Sequence, residues 1–320
     1  MRFDPMSAVS AFVFAPSPLL TVTIEAAPDE STELHVHAGG QGVWIARMAA
    51  TLGLDVTLCG VFGGETGGIL QSLIEREGIK VRAISTAGEN GSYVHDRRGG
   101  DRKPLAEVRP RVLSRHEVDD LFGGSLAEGI TADVAVLGGP HENNVVPPEI
   151  YTRLVGDLRA LKVPVVADLS GPTMTAALEG GLTVLKVSHE DLIEDGHAQS
   201  EKPEDLAEAM RALAAEGADH VVVSRAGDPA MALVDGDIWE VLIPPMNIVD
   251  HRGAGDSMTA GIAAALARGK SMNDALQFGA AAGAVNVTRR GLATGQPDLI
   301  AKMVENIRVR RMTEPKGQKQ

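Results

Sequence analysis

The stretch Val249-Asp-His-Arg-Gly-Ala-Gly-Asp-Ser-Met-Thr-Ala-Gly261 sets one carboxylate, Asp256, directly after three small residues, Gly253, Ala254 and Gly255. From Asp256 to Arg268 the residues are good helix formers, Met258, Ile262 and Leu266 recur on one face, and Gly269 supplies a stop. The glycine turn therefore precedes a helix N-terminus. Unpaired N–H groups and the positive end of the helix dipole attract an anion there, most naturally a phosphate. A carboxylate beside such a turn can orient or deprotonate a hydroxyl, and the two together meet the needs of phosphoryl transfer. Aspartate is also a favoured helix cap, so simple capping is the competing reading.

Other residues carry weaker chemical signals. His35 and His37 alternate on one strand face and could share a metal, but no third ligand is suggested nearby. Arg97, Arg98, Arg102 and Lys103 form a basic cluster that is either a solvated face or a set of phosphate ligands. His141-Glu-Asn-Asn144 follows the end of an apolar strand, where α/β sheets bind ligands. The single cysteine, Cys59, lies in an apolar segment and reads as a buried structural thiol; alone, it excludes an intrachain disulfide and a cysteine-based metal cluster.

The elements that position these groups follow from hydrophobic periodicity. With 320 residues and 44% hydrophobic content the chain can bury a large core, and a net charge of −13 argues against nucleic acid or an anionic membrane as partner. No apolar run is long enough to span a bilayer, and the first apolar segment reads as a buried strand, so a cytoplasmic protein is expected. Helices are expected over 43–52, 66–77, 148–161 and 204–216, and strands over 55–62, 80–85, 133–137, 163–168, 182–187 and 220–224. Strands of Val, Ile, Leu and Ala without a polar face belong to a parallel sheet covered on both sides, which makes the fold an α/β sandwich. Residues 19–38 and about 88–108 alternate with period two and suggest a small β-sheet lid on a single domain spanning 1–310; 311–320 is polar and expected to be disordered. Exposed lid strands favour pairing, so a homodimer through the lid is expected.

The run Asp250-His-Arg-Gly-Ala-Gly-Asp256-Ser and the earlier run His37-Ala-Gly-Gly-Gln-Gly-Val-Trp-Ile-Ala-Arg-Met-Ala-Ala-Thr-Leu-Gly53 are similar, in order and separation, to the two signatures of the ribokinase-type or pfkB-type carbohydrate kinases. Within these, the chain resembles the branch of 1-phosphofructokinase and tagatose-6-phosphate kinase, over roughly residues 8–305. The resemblance implies a three-layer α/β/α sandwich and an ATP-dependent phosphotransferase with an alcohol group as acceptor. It implies Asp256 as catalytic base, the amides of Gly253, Ala254 and Gly255 as anion hole, and Gly39 and Gly40 against the sugar. Lys186, Ser188 and Asp191 match the segment that influences nucleotide and Mg²⁺ binding, while Ser224 and Gly227 fall in the turn beside the nucleotide. Asp250 matches a position that in some relatives helps bind a monovalent cation such as K⁺.

Departures fall mostly on the substrate side. Pro16-Ser-Pro-Leu-Leu20 lacks the carboxylate that holds sugar hydroxyls, Gln41 stands for a lysine, and the arginine that grips the sugar phosphate falls near Gly91 or Ser92. On the nucleotide side Ser188 replaces Asn and Asp191 replaces Glu, and the turn after Ser224 reads Arg-Ala-Gly-Asp-Pro. Two readings follow: a kinase for a different sugar or sugar phosphate, or a silent sensor that binds sugar phosphate or nucleotide. A nucleoside kinase is a third, lowered by the 3% aromatic content. In the active reading Arg97 and its neighbours replace the lost phosphate ligand, and Gln41, His37, His141, Asn143 and Asn144 supply hydrogen bonds to hydroxyls.

Overall fold

The structure is a computed structural model that describes residues 9–140, 142, 144–289 and 293–312. The chain opens with β1 (Ser10–Phe14), leaves for the hairpin β2 (Leu19–Ala26) and β3 (Thr32–Gly39), and returns through α1 (Gln41–Thr51), β4 (Asp55–Phe62), α2 (Gly64–Arg76) and β5 (Lys80–Ser85). A second excursion forms β6 (Ser92–Asp96) and β7 (Lys103–Val108). Alternation resumes with α3 (Arg115–Gly129), β8 (Val134–Gly138), α4 (Glu149–Ala160), β9 (Val165–Asp168), α5 (Gly171–Gly180), β10 (Leu182–Ser188), α6 (His189–Glu194), α7 (Pro203–Glu216) and β11 (Ala218–Arg225). The chain continues as β12 (Asp228–Val234), β13 (Asp237–Leu242), α8 (Ala254–Ala267), α9 (Met272–Val287), α10 (Pro297–Val304) and β14 (Arg308–Arg311).

The large sheet has ten strands in the order β14-β13-β12-β11-β10-β9-β8-β1-β4-β5. From β11 to β5 each pairing is parallel, while β12, β13 and β14 join antiparallel at one edge. Side chains alternate between two cores. Ala11 and Val13 of β1 pack with α1, α8 and α9 on one face, and Phe12 and Phe14 pack with α3, α4, α5 and α7 on the other. The chain steps from β1 to β4 in one direction and later from β1's other side to β8, so β1 and β8 flank a topological switch point. Ligands of open α/β sheets bind at the carboxyl ends of strands at such a point.

The two excursions meet in a separate four-stranded sheet, β3-β2-β6-β7, joined by the parallel pairing of β2 with β6. Its outer face carries Val22, Ile24, Leu34, Val36, Val94 and Val108, as the register of the pairs requires. Asn90 bolts its base to the large sheet: Nδ2 donates to the carbonyls of Pro18 (3.1 Å) and Val61 (2.9 Å), and Oδ1 accepts from the Gly63 N–H at 2.9 Å.

Several expectations shift. Helix α8 begins at Ala254, two residues earlier than the periodicity suggests, because left-handed Gly253 (φ 74°) is itself the N-cap. Asp235 and Gly236, both at positive φ, make a tight hairpin between β12 and β13, an edge absent from the sequence reading. Arg311, assigned to the disordered tail, pairs with Trp239, and the Met312 N–H donates to the Ile238 carbonyl; residues 313–320 lie outside the described residues. Cys59 is buried and unpaired, and burial pushes its thiol up to about 11.

Helices α8 and α9 touch backbone to backbone: a Cβ at Gly261 would lie 2.7 Å from Gly279 Cα and 3.0 Å from the Phe278 carbonyl oxygen. Overpacking of this kind costs about 1–3 kcal/mol. Gly261→Ala is expected to lower the urea midpoint accordingly with an unchanged m-value.

Candidate active site

The turn at 253–255 opens a fourteen-residue helix with no side-chain cap. Among the described residues nothing accepts from the Gly253 and Gly255 N–H groups, whereas the Ala254 N–H makes a long 3.4 Å bond to the His251 carbonyl. Two of the three expected donors are thus open, and the third is partly occupied. Gly255 has to be bare, because a Cβ there would stand 2.6 Å from Lys186 Nζ. Asp256 is the third residue of α8, and the N-cap position itself is Gly253; among the described residues the Asp256 carboxyl reaches only its own backbone N–H.

Strand parity assembles the rest. Val166 of β9 and Val184 of β10 face the α8 core, and two residues on, Asp168 and Lys186 point the same way at the strand ends. Lys186 Nζ lies 3.2 and 3.1 Å from the two Asp168 oxygens, with both side chains 7% exposed. Thr259 Oγ1 of α8 donates to Asp168 Oδ2 at 2.7 Å. Burial would lower the proton affinity of Lys186, but the charges of Asp168 and Asp256 hold it above its ordinary value. Asp256 has no hydrogen-bonded side-chain partner among the described residues. Burial first, then repulsion from Asp168, against attraction to Lys186, push it up to about 7.

Beside this cluster the ends of β10 and β11 lie in register, Ser188 opposite Ser224. Ser188 caps α6: its Oγ accepts from the Asp191 N–H at 3.0 Å and donates to Asp191 Oδ2 at 2.5 Å. Gly227 sits in the β11–β12 turn with open space around it. The expected nucleotide residues are therefore neighbours on one edge of the α8 turn.

A cavity of about 510 Å³ occupies the switch point, between the inner face of the small sheet and the ends of β1 and β8. Gly40, left-handed at φ 98°, is the N-cap of α1, and with Gln41 it borders the cavity. Gln41 Oε1 accepts from the Gly139 N–H at 2.6 Å, bridging α1 to the end of β8. Gly39 lies just behind, against Thr21 and Trp44. His37 shares the face of Thr21 but does not line the cavity, and it stacks on His35 with ring centroids 6.0 Å apart. Asn144 is exposed and also off the cavity wall, whose β8 side is made by Gly139 and Pro140; His141 and Asn143 lie outside the described residues.

The basic cluster divides. Arg98 is bound by Asp96, Arg97 by Glu25 at 3.4 Å, and Lys103 is exposed on β7, while Arg102 lines the cavity and donates to His95 Nε2 at 2.6 Å. Arg252 reaches the same region from the loop before α8: it and Arg97 both disfavour the charged form of Arg102. The cation expected at Asp250 meets a different outcome. Both its oxygens are taken by Arg252 (3.0 and 2.5 Å), which holds the carboxyl down at about 2. A guanidinium on that carboxylate does not fit a K⁺ ligand. Among the described residues no group of three His, Cys, Asp or Glu is arranged for a metal, so His35 and His37 remain a pair.

Asp168, Thr259, His95 and Arg252 were not singled out from sequence. Asp168 carried a usable signal, since a lone carboxylate closing an apolar parallel strand sits where α/β sheets bind ligands. Thr259, His95 and Arg252 carried none, because their placement depends on which faces meet.

A sheet wound in this way, with a second sheet rooted at its switch point, is that of the ribokinase-like kinases. Arabidopsis thaliana ribokinase complexed with ribose and ATP matches it with a TM-score of 0.71 at 21% identity, over 93% of this chain and 99% of that one. The model of the pfkB family of carbohydrate kinases matches residues 20–299, and the chain belongs to that family. It is 24% identical over 282 residues to 1-phosphofructokinase of Bacillus subtilis (strain 168), covering 86% of this chain and 89% of the relative. Phosphofructokinase-2 from Escherichia coli in complex with potassium has a TM-score of 0.81 at 25% identity, covering 94% and 99% of the two chains. Among the described residues no helix is long and apolar enough to cross a membrane.

Asp168→Asn removes the repulsion that helps to raise Asp256. In a carbon-13 NMR titration the Asp256 midpoint is expected to fall below about 7 yet stay above the ordinary carboxylate range, since burial, the larger cause, is untouched.

Proposed function

We propose that the protein transfers the γ-phosphoryl group of ATP to a hydroxyl of a sugar or sugar phosphate, in the manner of a 1-phosphofructokinase, with Asp256 as base. The observation that carries this is the carboxylate itself: it is not the cap residue of α8, its proton affinity is raised to about 7, and it follows two open amides at the start of the helix. A base poised near the working pH takes a proton efficiently. The acceptor hydroxyl gives its proton to Asp256 as its oxygen attacks the γ-phosphorus, and the bond to the ADP oxygen breaks. The Gly253 and Gly255 N–H groups, with the fixed charge of Lys186 behind them, stabilise the negative charge on the transferring group. Mg²⁺, when it arrives on the nucleotide, supplies positive charge to the phosphates. Among the described residues no donor reaches Asp191 Oδ1, and a single carboxylate of this kind would be available to Mg²⁺ alongside phosphate oxygens.

Association through the small sheet belongs to the same reading. Leu34 (66% exposed), Val36 (45%) and Val108 (51%) lie on one outward face, and a second copy of that face would cover them. The Escherichia coli phosphofructokinase-2 is known in a tetrameric inhibited form. Light scattering is expected to give a mass near twice 33.5 kDa, reduced to the monomer by Val36→Lys; a monomeric wild type would refute the dimer.

ATP consumption across sugars, sugar phosphates and nucleosides tests the main reading. Asp256→Asn is expected to lower kcat by about 10²–10⁴-fold. Because the carboxylate form is the active one, kcat/KM should fall about tenfold per pH unit below about 7 and be level above it. Absence of any acceptor-dependent turnover, with ATP or a sugar phosphate still bound, would leave a binding protein instead.

A further inference from the structure

The loop that leads into α8 carries Asp250 just ahead of the glycine turn, and the carboxylate is largely enclosed, its side chain 12% exposed. A carboxylate in such a place needs a positive partner. The resemblance of the sequence points to a monovalent cation from solution, whereas the structure supplies a guanidinium from the same loop. Arg252 Nε donates to Asp250 Oδ1 at 3.0 Å and Nη2 to Oδ2 at 2.5 Å, the paired fork that matches a carboxylate edge to edge. The backbone N–H of Arg252 adds another bond to Oδ1 at 3.1 Å.

The surroundings leave little for a second cation. A potassium ion is held by a shell of oxygens that replaces its water. Here the Val287 carbonyl accepts from the Val249 and Asp250 N–H groups at 2.7 and 3.2 Å, the Arg252 carbonyl from Asn286 Nδ2 at 2.8 Å, and the His251 carbonyl from the Ala254 N–H at 3.4 Å. Charge argues the same way. The guanidinium groups of Arg97, Arg102 and Arg252 act on one another, with Glu25 and Asp250 as the carboxylates that face them, and a further cation would add to their repulsion. The bonds of the loop also run on into the site. Asn286, fully buried in α9, holds the carbonyl of Arg252, and the next residue is Gly253, the N-cap of α8.

We propose that Arg252 is a built-in counter-ion: its guanidinium stands at Asp250 in place of a monovalent cation and fixes the loop that presents the Gly253–Gly255 turn, so that neither stability nor turnover depends on K⁺. Arg252 is thus a positioning residue. Its effect on turnover rests on the kinase reading above, but its hold on the loop does not.

Thermal unfolding and ATP turnover are compared in KCl, NaCl and tetramethylammonium chloride at equal ionic strength. The wild type is expected to show one Tm in all three salts and kcat/KM values within about two-fold of one another, since an ion that bound the folded state would raise its stability. Arg252→Ala is expected to lower Tm by a few degrees and to regain at least half of that loss when K⁺, or guanidinium at a concentration too low to denature, is added. Arg252→Gln serves if the alanine variant does not fold. Rubidium stands in for potassium in crystals of the wild type, where no anomalous peak is expected within bonding reach of Asp250. A wild type that K⁺ stabilises or activates, a rubidium site on Asp250, or a variant that loses nothing or that neither cation restores overturns the proposal. Absence of any acceptor-dependent turnover would sink the kinase reading alone and leave the Tm and rubidium results to decide the counter-ion.

Discussion

Two carboxylates and one ammonium share a poorly hydrated space where β9, β10 and α8 meet, and the geometry around them follows from that. Asp168 and Lys186 are adjacent in register and 7% exposed, so neither charge is tolerable without the other. Asp256 adds a second negative charge to a pair already balanced, which is why it binds a proton up to about 7. Thr259 spends its hydroxyl on Asp168, and Gly255 gives up a side chain so that Lys186 can extend. Breaking a buried pair costs more than forming one gains, so the cluster constrains which residues α8 can carry rather than adding much stability.

The same economy of space shapes the other side of the switch point. Helix α1 begins at Gly40, immediately after the last residue of β3, and its Gln41 reaches across to the end of β8. Gln41 thus lies on one wall of the cavity, and the inner face of the small sheet, with Thr21, Tyr93 and His95, forms another. Charge enters from two chain segments distant in sequence, the β6–β7 turn with Arg102 and the loop before α8 with Arg252. Family membership fixes the reaction class, a carbohydrate kinase.

Much of the fold was legible because its strands are short apolar runs and helices stop at Gly53, Gly78 and Gly269, and the two excursions stood out by their period of two. Asp256 and its glycine turn were legible because small residues beside a carboxylate at a helix start have few uses. The antiparallel edge was missed although Asp235–Gly236 is a strong hairpin signal. Other misses have a physical cause. Whether Arg97 or Arg102 faces the cavity depends on a register shift between Val94 and His95, which no local pattern reveals. Asp250 looked open to a cation because Arg252, two residues on, folds back on it only in this loop conformation.

Asn90 has a mechanical meaning. Its side chain ties Pro18, Val61 and Gly63 together at the root of the small sheet, and it is 4% exposed. The connections on either side of it lead into β2 and β6, the only two strands through which the excursions pair. Any swing of the small sheet over the cavity therefore pivots about a clamped axle at Asn90, and its travel is set by how far the strands can flex beyond that point.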